Sequence, residues 1–180
     1  MIRITIVPIG EVDNWICEYL RESIPKIIDN TICEIGKRID FPPWAVDVKR
    51  NQILSIELLY HLSIQKELNK YDFVLGVIDY DIYAPGLNFI FGQAAEKIAL
   101  ISVTRLKPEF YGLKSNTELL KRRVLTEAIH ELGHTFGISH CSNPQCVMHF
   151  SNSILDTDRK GFFFCKRCKT LLEKNIEKYK

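Results

Sequence analysis

The sequence lacks the segments that would place a chain in a membrane or direct it to secretion. None of its apolar runs approaches the roughly 18 residues that a membrane-spanning helix needs. The opening stretch "MIRITIVPIG" has neither the length nor the cleavage-site pattern of a signal peptide. The net charge is only +2 for 180 residues, which by itself indicates no class of partner. We therefore expect a cytoplasmic protein without membrane contact.

Linkers, internal repeats and low-complexity segments are also missing. The composition is 46% hydrophobic and 26% charged, which is ordinary for a globular protein. A chain of this length can bury a substantial core, and nothing in it marks a boundary between independent domains. We therefore predict one domain spanning residues 1–180.

Histidine is scarce, yet three of the five histidines lie in "HELGHTFGISH", residues 130–140. An α-helix turns by about 100° per residue, so His130 and His134 share one helix face. His140 would point about 240° away from His134 if the helix continued. Gly137 accepts the positive φ of a helix C-terminus, so it predicts a chain reversal that brings His140 back. We predict that the three histidines bind one metal ion.

The same segment indicates catalysis rather than a purely structural metal site. Three imidazoles are a common zinc set that leaves one tetrahedral position open, whereas structural zinc sites usually fill all four positions from the protein. Glu131 follows the first histidine, and in the H-E-x-x-H pattern this glutamate is the general base for a zinc-activated water. The alternative is a helix whose histidines are ordinary core or surface residues.

A second constellation lies in the last 40 residues. Four of the six cysteines have the spacing C-x4-C, eighteen residues, then C-x2-C. They are Cys141, Cys146, Cys165 and Cys168. Two close pairs at this separation are typical of a four-cysteine structural zinc site, and a reducing compartment favours metal binding over disulfides. Two disulfides or four unrelated buried cysteines are the alternatives, and Cys17 and Cys33 are expected in the core.

Hydrophobic periodicity predicts a mixture of strands and helices. We expect strands at 2–7, 44–48 and 71–82, and helices over 11–32, 55–70 and 116–136, the last with a Ser115–Glu118 capping box. Two apolar runs in residues 87–106 suggest a hairpin or a pair of neighbouring strands. We expect residues 87–92 to form an exposed sheet edge, since such an edge can pair with an extended peptide.

The C-terminal end is basic, with eight lysines or arginines and two glutamates from Arg159 onward. This distribution fits either a nucleic-acid surface beside a zinc site or a solvated helix face. The solvated face is the commoner outcome, so we do not expect nucleic acid as a partner.

The motif from His130 to His140, with "CVM" at 146–148, resembles the metzincin zinc peptidases. In that clan a methionine turn lies beneath the metal, and Met148 is the candidate for it. Cys141 directly after the third histidine, with three more cysteines behind it, resembles the archaemetzincins in particular.

The resemblance implies an α/β, metzincin-like single domain with a mixed twisted sheet and an active-site helix. An N-terminal subdomain would span 1–137, and a C-terminal subdomain, 138–180, would be held by the structural zinc. Two zinc ions per chain are implied, with a peptide or protein substrate, and we expect a monomer. The alternative is a catalytically restrained zinc protein that binds peptide or nucleic acid. The sequence does not choose between aminopeptidase and endopeptidase.

Overall fold

The computed structural model describes residues 1–179, in which helices pack on both faces of a central sheet. The strands are β1 (Ile2–Ile9), β2 (Thr31–Ile35), β3 (Val46–Asp47), β4 (Gln52–Leu54), β5 (Phe73–Ile78), β6 (Ile82–Tyr83), β7 (Gly92–Ala95) and β8 (Ile98–Ser102). The α-helices are α1 (Asn14–Ser23), α2 (Ser55–Ser63), α3 (Thr117–Thr135), α4 (Ile154–Lys160) and α5 (Lys166–Ile176). Short 3₁₀ helices lie at Ile24–Lys26, Pro43–Ala45, Lys66–Lys70, Thr104–Leu106, Pro108–Tyr111 and Glu177–Tyr179.

The central sheet has five strands in the order β2-β1-β5-β8-β7. The first four run parallel, and β7 pairs antiparallel with β8. A smaller sheet has the order β3-β4-β6. The predicted mixed α/β fold is therefore confirmed.

The apolar runs of the sequence become strands that are covered on both faces, as is usual for parallel sheets. All six residues of β5 are buried. Phe73, Leu75 and Val77 face the core beneath α1, α3 and α5, whereas Val74 and Ile78 face the core beneath α2. This alternation places α3 flat against one face of the sheet.

The predicted helix over 11–32 is shorter than expected. It ends at Ser23, and Pro25 lies in the first positions of a 3₁₀ turn at Ile24–Lys26. The chain then enters β2, which pairs parallel with β1 from Ile2 and Thr31 onward. The apolar spacing of this region thus belongs to a helix followed by a strand.

The small sheet also differs from the prediction. Only Val46–Asp47 of the expected strand over 44–48 is extended, because Pro43–Ala45 form a 3₁₀ turn. The predicted helix over 55–70 divides into α2 and the 3₁₀ segment Lys66–Lys70.

The apolar runs of residues 87–106 form the β7–β8 hairpin, and β7 is at the edge of the sheet. Glu96, in the turn, has a φ of 51°. The edge strand spans Gly92–Ala95 rather than 87–92. Of the residues before Gly92, Ile90 makes a single isolated bridge, to Ile82 in the small sheet. The expected edge exists, but it lies a few residues further along the chain.

Helix α3 begins one residue later than the predicted capping box requires. Asn116 is the N-cap, and its side-chain oxygen accepts a hydrogen bond from the Leu119 amide at 3.0 Å. The Ser115 side chain instead hydrogen-bonds Glu109. Asparagine is an equally good N-cap, so the helix keeps its start within one residue.

No helix within residues 1–179 combines the length and apolar character needed to span a membrane.

Candidate active site and metal centres

The C-terminal end of α3 reverses the chain at Gly137, which has a φ of 78°. The Gly137 amide donates to the His134 carbonyl at 2.8 Å, and the Ile138 amide donates to the Gly133 carbonyl at 3.0 Å. This pair of bonds is a Schellman motif, which satisfies carbonyls that the helix leaves free. The turn sends residues 138–140 back toward the face of α3 that carries His130 and His134.

Three imidazoles meet at this end of the helix. His134 Nε2 lies 3.2 Å from His130 Nε2 and 3.2 Å from His140 Nε2. Zinc holds nitrogen donors at about 2.0–2.1 Å, so two donors of a tetrahedral site lie about 3.3–3.4 Å apart. Among residues 1–179, no fourth histidine, cysteine, aspartate or glutamate joins these donors within 4.8 Å of one another.

Backbone carbonyls set the tautomer of two of these rings. His130 Nδ1 lies 2.7 Å from the Val147 carbonyl, and His134 Nδ1 lies 2.8 Å from the Ile138 carbonyl. A carbonyl only accepts, so in the neutral rings Nδ1 carries the hydrogen and Nε2 carries a lone pair. Converging lone pairs repel one another unless a cation lies between them. The donor set therefore fits a zinc ion.

Burial keeps the rings in the neutral form that a metal requires. It lowers the pKa of His130 well below its usual value, and it lowers the pKa of His134 and His140 in the same direction. The positive charge of Lys160 adds to each of these shifts. Each shift favours the neutral form of the ring, which is the form that binds a metal.

Glu131 lies beside the histidines and lines the same open groove, which also passes along β7. Its side chain is buried, which raises the pKa of the carboxyl well above its usual range. The negative charge of Glu127 raises it further, and the positive charge of Lys160 opposes the rise. A carboxylate whose pKa is raised is a stronger base, which suits a residue that accepts a proton and later returns it.

Met148 packs against α3 at Gly133, within the H-E-x-x-H segment. It is fully buried, and a Cβ added at Gly133 would lie 2.3 Å from its sulfur. Only glycine at position 133 therefore leaves room for Met148 against this part of α3.

The four predicted cysteines also come together. Their sulfur atoms all lie within 4.8 Å of one another, and Cys141 Sγ is 3.9 Å from Cys165 Sγ. Zinc–sulfur bonds of about 2.3 Å in a tetrahedral site would place two sulfurs about 3.8 Å apart. All six cysteines are free thiols, and this cluster could hold a zinc ion, whereas Cys17 and Cys33 lie in the core.

One thiol of the cluster is already acidic. A hydrogen bond from the Cys168 amide, at the first turn of α5, lowers the pKa of Cys165 to about 7. Burial instead raises the pKa of Cys146 and Cys168. The lowered pKa increases the fraction of Cys165 present as thiolate, which is the form that binds a metal.

The chain between the two clusters is held by backbone hydrogen bonds. The Cys141 amide donates to the Met148 carbonyl at 2.9 Å, and His149 Nδ1 donates to the Cys141 carbonyl at 2.9 Å. Val147, whose carbonyl accepts from His130, donates its amide to Phe163. The loop that orients the first histidine is therefore the loop that carries two of the cysteines.

Sequence reasoning missed three residues at this site. Glu127 lies one turn before Glu131 on the same face of α3, and its position i−4 could have drawn attention to it. Lys160 Nζ, at the end of α4, lies 3.2 Å from Glu127 Oε1 on α3, and Gly92 on β7 lies against Glu131. No local sequence pattern indicates the last two, because both contacts join distant parts of the chain.

Comparison with known proteins identifies the family. A profile of peptidase family M54 matches residues 1–174. The archaemetzincin of Methanocaldococcus jannaschii is 45% identical over 179 residues, covering 98% of this chain and 96% of that protein. The archaemetzincin of Pyrococcus furiosus is 47% identical over 181 residues, with 96% and 93% covered. The crystal structure of Methanopyrus kandleri archaemetzincin superimposes with a TM-score of 0.87 at 38% identity, covering 98% of this chain and 96% of that one.

Fold, donor sets and relatives together define a zinc metallopeptidase, a hydrolase of peptide bonds. More particularly, the chain belongs to peptidase family M54, the archaemetzincins.

Proposed function

We propose that this protein cleaves peptide bonds at a zinc ion held by His130, His134 and His140, with Glu131 as the general base. The observation that carries the proposal is the convergence of three Nε2 atoms at a groove that Glu131 also lines. His134 Nε2 lies 3.2 Å from the Nε2 atom of each of the other two histidines. Peptides are the substrates that membership of the family implies.

When bound, zinc supplies Lewis acidity, which acidifies a water molecule and polarises the scissile carbonyl. Glu131 accepts the proton of the attacking water and passes it to the leaving amine. Burial raises the pKa of this carboxyl, which makes it a stronger base for the first transfer. His130 and His134 are held in the metal-binding tautomer by the carbonyls of Val147 and Ile138.

The edge of the sheet is proposed to bind the substrate. Strand β7 ends the sheet, and Gly92 to Ala94 line the groove that crosses the histidines. An extended substrate can add to this edge through backbone hydrogen bonds, which would hold its carbonyl over the histidine site.

We further propose a structural role for a second zinc, bound by Cys141, Cys146, Cys165 and Cys168. It would fix the segment that returns His140 to the site, and Met148 would support the metal site from below as in the metzincins. The count of two zinc ions per chain is part of this proposal.

The test is a peptide library assayed with the zinc-loaded protein and with its Glu131→Ala variant, with metal content measured in parallel. Loss of the base should lower kcat by about 10²- to 10⁴-fold while zinc stays bound, since the histidines are untouched. Glu118→Ala is the matched control, because Glu118 is an exposed glutamate on the same helix. If Glu131→Ala cleaves peptides as fast as the parent, Glu131 is not the base.

A further inference from the structure

A cavity of about 210 Å³ adjoins the proposed catalytic site on one side. It is lined by His130 and Glu131 but by neither His134 nor His140. Phe89, Phe91 and Phe150 supply apolar walls. The cavity is thus a side chamber on the Glu131 side of the groove rather than part of the metal-binding position.

The carboxylate of Glu127 belongs to this chamber. Glu127 is only 2% exposed, and it lines the cavity one helical turn before Glu131. Both of its contacts are made by Oε1, which accepts from Thr157 Oγ1 at 2.8 Å and lies 3.2 Å from Lys160 Nζ. Within residues 1–179, the only side-chain N or O atoms both buried and without a partner are Thr5 Oγ1 and His61 Nδ1. Oε2 of Glu127 is not one of these atoms and makes neither of the two contacts, so it is the oxygen left to face the chamber that Glu127 lines.

The positive partner of Glu127 does not share the chamber. The Lys160 side chain is fully buried, its ammonium also donates to the His149 carbonyl at 3.2 Å, and Lys160 is not among the residues that line the cavity. The residues that line the cavity include two glutamates and no lysine or arginine. A ligand in the chamber therefore meets a hydrogen-bond acceptor with negative charge, between aromatic walls.

The proton transfer proposed for Glu131 determines which part of a peptide substrate would enter the chamber. Glu131 returns its proton to the leaving amine, so the residue that supplies this amine must lie on the Glu131 side of the histidines. The chamber opens on that side. The side chain of that residue, the first after the cleaved bond, is therefore the group directed into the chamber.

We propose that this chamber is a specificity subsite in which Glu127 selects a basic side chain, lysine or arginine, in the residue directly after the cleaved bond. This inference rests on the proposed peptidase function. The methylene stem of a lysine or arginine would pack against the phenylalanines, and its charged end would donate to Glu127 Oε2. Aspartate and glutamate would be repelled by the two carboxylates that line the chamber.

The test uses three quenched fluorescent peptides that differ in one residue only. Directly after the cleaved bond they carry lysine, norleucine or glutamate. Norleucine has the stem of lysine without its charge. The zinc-loaded parent should cleave the lysine peptide at least about tenfold better than the norleucine peptide in kcat/KM, and the glutamate peptide least of all. Glu127→Gln should bring the lysine-to-norleucine ratio to within about twofold of unity. Glu118→Gln should leave the ratio at its parent value.

Glu127→Gln also leaves the ammonium of Lys160 without its carboxylate, which could lower activity on every peptide. The lysine-to-norleucine ratio of kcat/KM is therefore compared, because a general loss of activity leaves it unchanged. The double variant Glu127→Gln/Lys160→Met removes both charges and should lose the preference to the same extent. If the parent does not discriminate, or the preference survives Glu127→Gln, the proposal is overturned. Equal losses on all three peptides would make Glu127 a structural residue and would also overturn it.

Failure of the peptidase proposal is distinguishable from failure of the subsite. If the parent cleaves none of the peptides, hydrolysis is absent, and binding of the same intact peptides is measured by fluorescence anisotropy. The subsite is supported if the parent binds the lysine peptide more tightly than the norleucine peptide and Glu127→Gln abolishes this difference. Equal binding of lysine and norleucine peptides overturns it.

Discussion

At the scale of single residues, two glycines let other parts of the chain come close to α3. Gly133 admits the Met148 side chain against α3, within the H-E-x-x-H segment. Gly92 admits strand β7, since a Cβ at this position would lie 2.6 Å from Glu131 Cγ and 2.6 Å from the Leu100 carbonyl oxygen. Distances this short are well inside van der Waals contact. The proposed base and the proposed substrate-binding edge are therefore adjacent because position 92 has no side chain.

Gly92→Ala should impair both stability and activity. The Leu100 carbonyl cannot move away without disturbing the β7–β8 pairing, so the clash must be relieved partly at Glu131. We expect a loss of about 1–3 kcal/mol in the free energy of unfolding, the usual cost of overpacking, and a larger fall in kcat/KM than in zinc content. Denaturant unfolding, metal analysis and peptide assays on one preparation measure the three quantities.

The control for this substitution is Ala95→Ser, at the exposed end of the same strand. It should change stability by no more than about 0.5 kcal/mol. If Gly92→Ala retains parent stability and activity, the close approach of β7 to Glu131 is not as described.

At the scale of elements, α4 is joined to α3 by two ion pairs that lie on the same side of the site. Arg123, which is 4% exposed, donates from Nε and Nη2 to the two carboxylate oxygens of Asp158 at 2.8 and 2.7 Å. Its Nη1 donates to the Leu106 carbonyl at 3.0 Å. The second pair joins Lys160 and Glu127. These contacts fix α4 on the helix that carries the histidines.

Asp158→Ala should destabilise the fold by about 2–4 kcal/mol. Removing one partner of a buried pair leaves an uncompensated charge, which costs about 3–5 kcal/mol, and the partial exposure of Asp158 reduces this cost. Chemical denaturation of the zinc-loaded protein measures it. Glu118→Ala breaks an exposed pair with Lys121 and should cost less than about 1 kcal/mol. Equal effects of the two variants would mean that Arg123 and Asp158 do not join α4 to α3.

The elements also show which parts of the fold can be predicted from sequence. Helix α3 and its end at Gly137 were predictable, because amphipathic spacing and a positive-φ glycine are local signals. The small sheet was not, since β3, β4 and β6 are two or three residues long and have no periodicity. The histidine and cysteine groups came together as their spacing indicated. The pairing of Glu127 with Lys160 joins residues 33 positions apart, so no local pattern indicates it.

At the scale of the whole molecule, the two clusters share one stretch of chain. His140 and Cys141 are consecutive, yet their side chains join different donor groups. The hydrogen bonds between Cys141 and residues 148 and 149 connect the cysteine cluster to the loop that orients His130. The subdomain division at residue 137 and the monomeric state both remain predictions.

Cys165→Ser should therefore weaken both metal sites. The variant removes the thiol whose pKa is lowered to about 7, and we expect it to lose the proposed structural zinc as well. The segment carrying His140 then loses its anchor, so zinc at the histidines should be lost at a lower chelator concentration than in the parent. Zinc-to-protein ratios after dialysis against graded chelator measure this change.

Cys17→Ala serves as the control, because Cys17 is a buried core cysteine away from both clusters. Its zinc content should equal that of the parent. If Cys165→Ser holds the histidine zinc as tightly as the parent does, the two sites are independent.

The most direct test of the central claim is diffraction from crystals of the zinc-loaded protein at the zinc absorption edge. The structure predicts one anomalous peak bound by Nε2 of His130, His134 and His140, with a fourth ligand that does not come from the protein, and a second peak among the four cysteines. A histidine site without a peak, or one whose fourth position is filled by a protein atom, would contradict the assignment of this site as the catalytic centre.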